Sequence, residues 1–282
     1  MQLSATLALG ASVSMHVAWN LMARQQKPET HTLWWVLLAY LCLLAPLGVF
    51  NLFQEVRLDH HQSWLLTGSA ISNALYFFSL RRAYALAPVA LVYPLVRSSP
   101  LLIALFSAGL LNEALPTHVW VGICVSVLGL LLMAGSVKDP QERSALRWAF
   151  IAMLCTCGYS LTDRAGTREL AHFASLLGYL SFGYLFAWIV LTLEMRVTQG
   201  HWIPKKRPPI LIMLLGGLFV GLAYALVIYA MKFMPVAVAV AYSNAGIVLA
   251  CLISILVMKE THAWRRRMFA ALIICTGLFL IT

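Results

Sequence analysis

Long runs of apolar residues, separated by short polar segments, divide the chain into ten stretches of membrane-spanning length. A helix needs roughly 20 apolar residues to cross about 30 Å of hydrocarbon. The runs are continuous rather than alternating, so the pattern favours helices over the strands of a barrel. The predicted spans are residues 3–22, 32–53, 63–86, 88–111, 117–135, 145–164, 171–195, 209–232, 235–258 and 263–281.

Composition agrees with a polytopic membrane protein. Of 282 residues, 61% are hydrophobic and 11% are charged, and the mean hydropathy is +0.83, too apolar for a soluble domain. The six cysteines all fall inside predicted spans, where they are interpreted as small apolar residues. The net charge of +10 lies in loops that flank the membrane, so we expect lipid headgroups, and no nucleic acid, as its partners.

The basic residues also predict an orientation. Each loop takes the number of the span that precedes it. The odd-numbered loops and the adjoining span ends hold 15 of the 20 Lys and Arg residues, the even-numbered loops and their adjoining span ends hold four, and Arg97 lies within a span. The positive-inside rule therefore predicts that the odd-numbered loops are cytoplasmic, that both termini are outside, and that the protein lies in the plasma (inner) membrane.

The chain contains an internal repeat. A shift of 147 residues aligns "APVALVYPLVRSSPLL" with "MPVAVAVAYSNAGIVL", and a shift of 140 aligns "MHVAWNLMAR" with "CTCGYSLTDR". Each half then has five spans, and an odd number inverts the second copy in the membrane. The predicted fold is an all-α membrane protein with ten transmembrane helices, arranged as two inverted five-helix repeats around a central cavity.

These features resemble a known family. The two five-span halves, the prolines that open the fourth and ninth spans, and the acids in "NEAL" and "KETH" are similar to EamA-type transporters of the drug/metabolite transporter superfamily. The resemblance assigns residues 1–138 to a first repeat, 139–144 to a linker and 145–282 to a second repeat. It implies a cavity lined chiefly by the first, third, fourth, sixth, eighth and ninth helices. The motifs "LVYPLVRSSPLL" and "YSLTDRAGTREL" resemble a subgroup associated with phosphonate utilisation.

Arg97 is the strongest candidate for substrate binding. It lies near the middle of the fourth span and aligns with Asn244 in the ninth. A charge at that depth costs about 2.5–3.5 kcal/mol on insertion scales, so the side chain should face protein or a wet cavity. Its planar guanidinium suits a carboxylate, phosphate or phosphonate. The alternative is a permanent internal pair with Asp163. Two prolines of the same span, Pro94 and Pro100, are expected to let the helix flex.

Other polar and aromatic side chains surround this position in the predicted bundle. His16 and Asn20 share one face of the first helix beside Trp19, where they could contact substrate or join helices. Asp163 is the candidate coupling residue, with an interfacial helix cap before Gly166 as its alternative. The remaining candidates are the tyrosines expected around the cavity, Tyr76, Tyr93, Tyr159 and Tyr224. Tryptophans near span ends, Trp34 among them, are interpreted as an interfacial belt.

The sequence therefore predicts a secondary transporter that is not an enzyme and needs no cofactor or metal. It lacks the Walker A, HExxH and GxSxG motifs, so energy must come from a gradient, such as that of protons, or from an exchanged metabolite. The expected activity is export of a small polar metabolite such as an amino acid. Alternatives are a permease for phosphonates or other organic anions, a lipid flippase, and a membrane enzyme using Asp59, His60 and His61. The oligomeric state is left open.

Overall fold

The protein is described by a computed structural model that covers residues 3–57, 59–110, 112–134, 140–257, 259 and 263–281. Within these residues the regular elements are thirteen α-helices and one short 3₁₀ turn, Pro28–Thr30. The helices are α1 Leu3–Arg24, α2 Thr32–Leu43, α3 Ala45–Glu55, α4 His60–Leu86, α5 Val89–Val96, α6 Ser99–Leu110, α7 Thr117–Ala134, α8 Pro140–Gly166, α9 Phe173–Gln199, α10 Ile210–Met231, α11 Val236–Ser243, α12 Ala245–Leu256 and α13 Trp264–Leu280.

The described helices correspond to the ten predicted spans. Six segments are long and apolar enough to cross a membrane, and α2 with α3 forms a seventh as a bent pair. Helices α1, α4 and α13 correspond to the other three predicted spans. The helical membrane fold is thereby confirmed. The predicted repeat boundaries stay a prediction, and the proposed linker overlaps the start of α8 at Pro140.

The second span is bent where α2 meets α3. The two helices differ in direction by 53°, and Pro46 lies in the first turn of α3. A proline ring removes one backbone donor and crowds the carbonyl four residues earlier, so it ends α2 near Leu44.

The fourth and ninth spans are both interrupted near their centres. The fourth changes from α5 to α6 at Arg97 and Ser98, and the ninth changes from α11 to α12 at Asn244. Pro94 and Pro100 flank the first break, and the Ser98 hydroxyl donates to the Pro94 carbonyl at 2.9 Å. The expected weakness around Arg97 is therefore a true break, and it recurs at the equivalent position of the second repeat.

Contacts between helices follow the pseudo-twofold relation of the repeats. Helix α1 packs on α10 as α8 packs on α4, and α2 packs on α10 as α9 packs on α4. The second and seventh spans meet through α3 and α9, the fifth and tenth through α7 and α13, and the fourth and ninth through α6 and α11. Each of these contacts is therefore either its own symmetry mate or paired with one.

Glycines let the helix backbones approach closely where these pairs cross. A Cβ atom on Gly178 of α9 would lie 2.1 Å from the Gly48 carbonyl oxygen of α3, and one on Gly277 of α13 would lie 2.6 Å from the Gly122 oxygen of α7. The sequence motif "GLFVG" has the same role, because a Cβ atom on Gly217 would lie 2.8 Å from the Tyr40 backbone nitrogen. Small residues at these crossings replace the hydrophobic driving force that membrane helices lack.

Candidate functional site

A cavity of about 620 Å³ lies between the two repeats. It extends from Arg97 at the centre of the bundle to Gln26, Lys27 and His31 of the first loop, so it reaches the side of the odd-numbered loops. Its described lining residues include none from the even-numbered loops. The expected helices all contribute, and the second and seventh spans also contribute, through Trp34 and Tyr184.

Arg97 faces this cavity from the break in the fourth span. Its guanidinium carbon lies 5.4 Å from the centre of the Tyr93 ring, and its Nη1 donates to Ser243 Oγ over a long 3.4 Å. The Nε atom is buried and has no hydrogen-bond partner among the described residues. No described carboxylate lies within 4.0 Å of the guanidinium. The site therefore holds a cation with unused donors.

Asn244 supports Arg97 from behind the cavity wall. Its side-chain nitrogen donates to the Arg97 carbonyl oxygen at 3.0 Å, while its own Oδ1 is buried without a partner in the described chain. Asn244 is 1% exposed and is not a lining residue. The two helix breaks, at equivalent positions of the two repeats, thus contact each other.

The first helix presents His16, Trp19 and Asn20 to the cavity, as the sequence predicts. The Asn20 amide donates to the His16 carbonyl within the same helix at 2.8 Å. Trp19 lies against Gly216 of α10, where a Cβ atom would meet the indole at 2.9 Å. The glycine therefore makes room for the indole between α1 and α10.

Tyrosines of α4, α8 and α10 form an aromatic wall of the cavity. Tyr76 and Tyr159 make an edge-to-face contact with ring centres 5.6 Å apart, and Tyr159 and Tyr224 make another at 5.3 Å. Tyr84 and Tyr184 extend the same lining. Such rings offer an apolar surface together with hydroxyl groups.

The lining positions on α1 and α8 correspond under the repeat alignment. At the shift of 140 residues, His16, Trp19, Asn20 and Ala23 align with Thr156, Tyr159, Ser160 and Asp163. All four residues of the α1 set line the cavity, and so do the first three of the α8 set. Of these eight residues, Asp163 alone does not line the cavity.

Asp163 lies beneath the floor of the cavity and is 0% exposed. One carboxylate oxygen accepts from Tyr224 at 2.8 Å, and the other accepts a very short hydrogen bond from Ser69 of α4. Tyr224 lines the cavity, so one phenol ring separates Asp163 from it. The ion pair between Arg97 and Asp163 that the sequence left open is not formed. Asp163 is also not an interfacial helix cap, because its side chain is completely buried.

Further contacts close the side of the even-numbered loops. Glu55 accepts from the Ala171 and His172 backbone nitrogens at 2.6 and 3.0 Å, at the start of α9. Gln62 donates to the Gly166 carbonyl at 2.7 Å, and Glu113 lies 3.7 Å from Arg164. As far as the described residues show, the cavity is therefore accessible from the odd-numbered side alone.

Charged residues surround the cavity mouth on the odd-numbered side. Glu194 of α9 contacts both Arg81 and Arg82 of α4 and so joins the two helices. In the first loop, a hydrogen bond from Lys206 holds the pKa of Glu29 below its usual range. Partial burial lowers the pKa of His31, and the nearby Arg81 lowers it further. His31 is therefore neutral near pH 7, and the fixed positive charge of the mouth comes from Lys and Arg.

The structure brings most of the predicted site residues together. The cavity is lined by Arg97, His16, Trp19, Asn20, Tyr76, Tyr93, Tyr159 and Tyr224, whereas Asn244 and Asp163 lie immediately outside it. Sequence reasoning missed Trp34, Tyr84 and Tyr184. Trp34 belongs to the wall rather than to an interfacial belt, because its indole donates to Thr192 at 2.7 Å and only 5% of the residue is exposed.

The alternative of a membrane enzyme rests on Asp59, His60 and His61 at the start of α4. Asp59 accepts from the Gln62 backbone nitrogen at 2.7 Å and caps α4, so this acid has a structural role. The described residues contain no cluster of three His, Cys, Asp or Glu side chains that could hold a metal ion.

The chain is similar to a known family in sequence and to solved structures in fold. The family model described as "EamA-like transporter family" matches twice, over residues 2–135 and 139–282. No curated protein matches the sequence. Among 29 matching chains of solved structures, one titled "Crystal structure of protein" aligns with a TM-score of 0.73 and 21% identity, over 100% of this chain and 98% of its own. That likeness concerns the fold alone.

Proposed function

Since the chain belongs to the EamA-like transporter family, a family of membrane transporters, we propose that it is a secondary active exporter of a small amphipathic metabolite with an anionic group. An amino acid or a related compound is the leading candidate. The observation that carries the proposal is Arg97, which lines the cavity and has no described carboxylate in contact with its guanidinium.

The lining fits both ends of such a molecule. The guanidinium fork can bind a carboxylate through two hydrogen bonds, and six tyrosines surround the remaining space. Aromatic faces attract an ammonium group, and they also accept an apolar side chain. A zwitterion would therefore place its carboxylate on Arg97 and its ammonium group over the tyrosine wall.

The charge of the lining favours a second candidate, a phosphonate or another organic anion. The described lining residues include Lys27, Arg81 and Arg97 but no Asp or Glu. Of the described acids near the cavity, Asp163 is sealed beneath its floor and Glu194 is paired with two arginines of α4 at its mouth, so the lining offers an ammonium group no acid in contact with the cavity. A dianion without an amine would suit this lining directly.

A ligand screen on the purified protein tests the proposal. A ligand present at 100 times its Kd raises the free energy of unfolding by about 2.7 kcal/mol. We expect stabilisation by amino acids or by organic anions, including organophosphonates, and none by matched amines that lack the acid group. Stronger stabilisation by the zwitterion than by the deaminated acid would identify an amino acid transporter. Equal stabilisation by amines would contradict a role for Arg97 in binding an anion.

The proposed direction of export depends on the orientation in the plasma (inner) membrane. The cavity reaches the odd-numbered loops, where the basic residues collect, so the positive-inside rule makes this conformation open to the cytoplasm. In that orientation the observed conformation is the one that would load substrate for export.

Sided cysteine labelling checks this orientation. With the six native cysteines replaced by serine, we expect Arg168→Cys in an even-numbered loop to react with an impermeant maleimide on intact cells. The matched variant Lys205→Cys, in an odd-numbered loop, should react only after the membrane is permeabilised. Both positions are exposed. The reverse pattern would place the termini in the cytoplasm and make the observed conformation open to the outside.

A further inference from the structure

The aligned residues Ala23 and Asp163 occupy different environments in this conformation. Ala23 lines the cavity that is open to the odd-numbered side, whereas Asp163 is sealed on the even-numbered side. They occupy equivalent positions of inverted repeats, one on α1 and the other on α8.

In a fold of inverted repeats, alternating access comes from one repeat moving against the other around a fixed site. Because the repeats are equivalent by symmetry, we infer that the opposite state is reached when the two repeats exchange conformations. After the exchange, α8 takes the place that α1 has now, and Asp163 takes the place of Ala23. That place faces water. Asp163 is thus buried in one state and lines the cavity, open to the even-numbered side, in the other.

The buried environment disfavours a negative charge. The two hydrogen bonds to Asp163 come from neutral hydroxyl groups of Ser69 and Tyr224. The neighbouring Arg164 is turned towards Glu113. The titratable groups that face Asp163 are phenols, Tyr224 from α10, Tyr179 and Tyr184 from α9 and Tyr159 from α8. Helix α4 presents Ser69, and the described residues of α5, α6 and α11 present no acid or base in contact with it.

We propose that Asp163 is a proton-binding site that takes its proton from the even-numbered side and is neutral while sealed in the state observed here. A buried carboxylate without a cation is costly, so neutralisation lets the floor of the cavity close over it. In the exchanged state, water stabilises the ionised form and the proton can leave or enter. This inference rests on the proposed transport function and adds the coupling ion to it.

The hydrogen bonds suit both protonation states. As a carboxylate, Asp163 accepts from both hydroxyl groups. As a neutral acid, it can donate to Tyr224, whose ring lines the cavity. Tyr224 therefore links the cavity to Asp163, so that substrate in contact with the Tyr224 ring can influence the protonation of Asp163.

The test measures how pH changes the population of the odd-open state. Ala23→Cys, in protein with its native cysteines replaced by serine, reports that state through its reaction with a soluble maleimide. We expect the labelling rate of this reporter to fall as pH rises, relative to the same reporter carrying Asp163→Asn. Asparagine mimics the neutral acid, and the comparison at each pH cancels the intrinsic pH dependence of thiol reactivity. An equal pH profile in the two proteins would overturn the proposal.

Infrared spectroscopy of the reconstituted protein gives a second measurement that needs no ligand and no reporter. A carbonyl band of a neutral carboxylic acid should be present near pH 7, absent in Asp163→Asn and retained in the control Glu113→Gln. Tyr224→Phe should shift the band by removing a hydrogen bond, which keeps the test decisive if Asp163→Asn does not fold. A missing band in the parent protein would overturn the proposal. A failed ligand screen would overturn the proposed substrate without changing either result.

Discussion

Replacing Arg97 with alanine is expected to remove the stabilisation by anionic ligands and to leave the ligand-free protein as stable as the parent, or slightly more stable. A charge-assisted hydrogen bond contributes about 1.5–3 kcal/mol, which corresponds to roughly 10- to 150-fold in Kd. The ligand-free variant should keep its stability because Arg97 has no carboxylate partner among the described residues. Its replacement removes an uncompensated buried charge and breaks no ion pair.

The same variant separates a substrate residue from an internal strut. Removing one partner of a buried ion pair costs about 3–5 kcal/mol, so a strut would show a large fall in melting temperature without ligand. Arg97→Lys should bind with intermediate affinity, since it keeps the charge but loses the planar fork. Arg265→Ala is the matched control, because it removes one exposed positive charge outside the cavity. Full ligand stabilisation of Arg97→Ala would contradict the proposed site.

Replacing Gly178 with alanine should lower the melting temperature, although alanine is the better helix former. The intrinsic preference favours alanine by about 1 kcal/mol, but its Cβ atom would lie 2.1 Å from the Gly48 oxygen, which is backbone and cannot rotate away. Overpacking commonly costs about 1–3 kcal/mol, and this contact is short enough to force α3 and α9 apart. Gly178→Leu should prevent isolation of a monodisperse protein.

Two other glycines serve as controls for that experiment. A Cβ atom at Gly10 or Gly109 would have no neighbour within 4 Å. Gly10→Ala and Gly109→Ala should therefore keep or raise the melting temperature, as measured by thermal unfolding in detergent. If Gly178→Ala matched them, the close crossing of α3 and α9 would be wrong.

The ten spans could be predicted because each carries its own signal, an apolar run between polar breaks. The repeat was equally visible, since a fixed shift aligns proline with proline at the start of the fourth and ninth spans. The break at Arg97 had local causes in Pro94 and Pro100. The break at Asn244 had no nearby proline, and its stabilising contact is a hydrogen bond to Arg97, 147 residues away.

The candidate site was predictable where polarity marked a residue. His16, Asn20 and Arg97 are conspicuous in apolar helices, and they line the cavity. Trp34, Tyr84 and Tyr184 are not conspicuous, because the rotation of each helix about its axis decides whether an aromatic ring faces lipid, a neighbour or the cavity. The bend between α2 and α3 was marked by Pro46, but the direction in which it turns Trp34 depends on packing against α9 and α10.

The pseudo-twofold contact pattern also determines what sets the resting conformation. In the proposed transport cycle, two states related by exchanging the repeats use the same main backbone crossings, so these crossings contribute nearly equally to the stability of both. The relative stability of the two states then depends on the side chains that differ between equivalent positions of the two repeats. Arg97 and Asn244 are one such pair, and Asp163 and Ala23 are another. A difference of about 1.4 kcal/mol changes a population ratio tenfold. Single substitutions at these few positions can therefore invert the resting direction of the protein while its architecture stays unchanged.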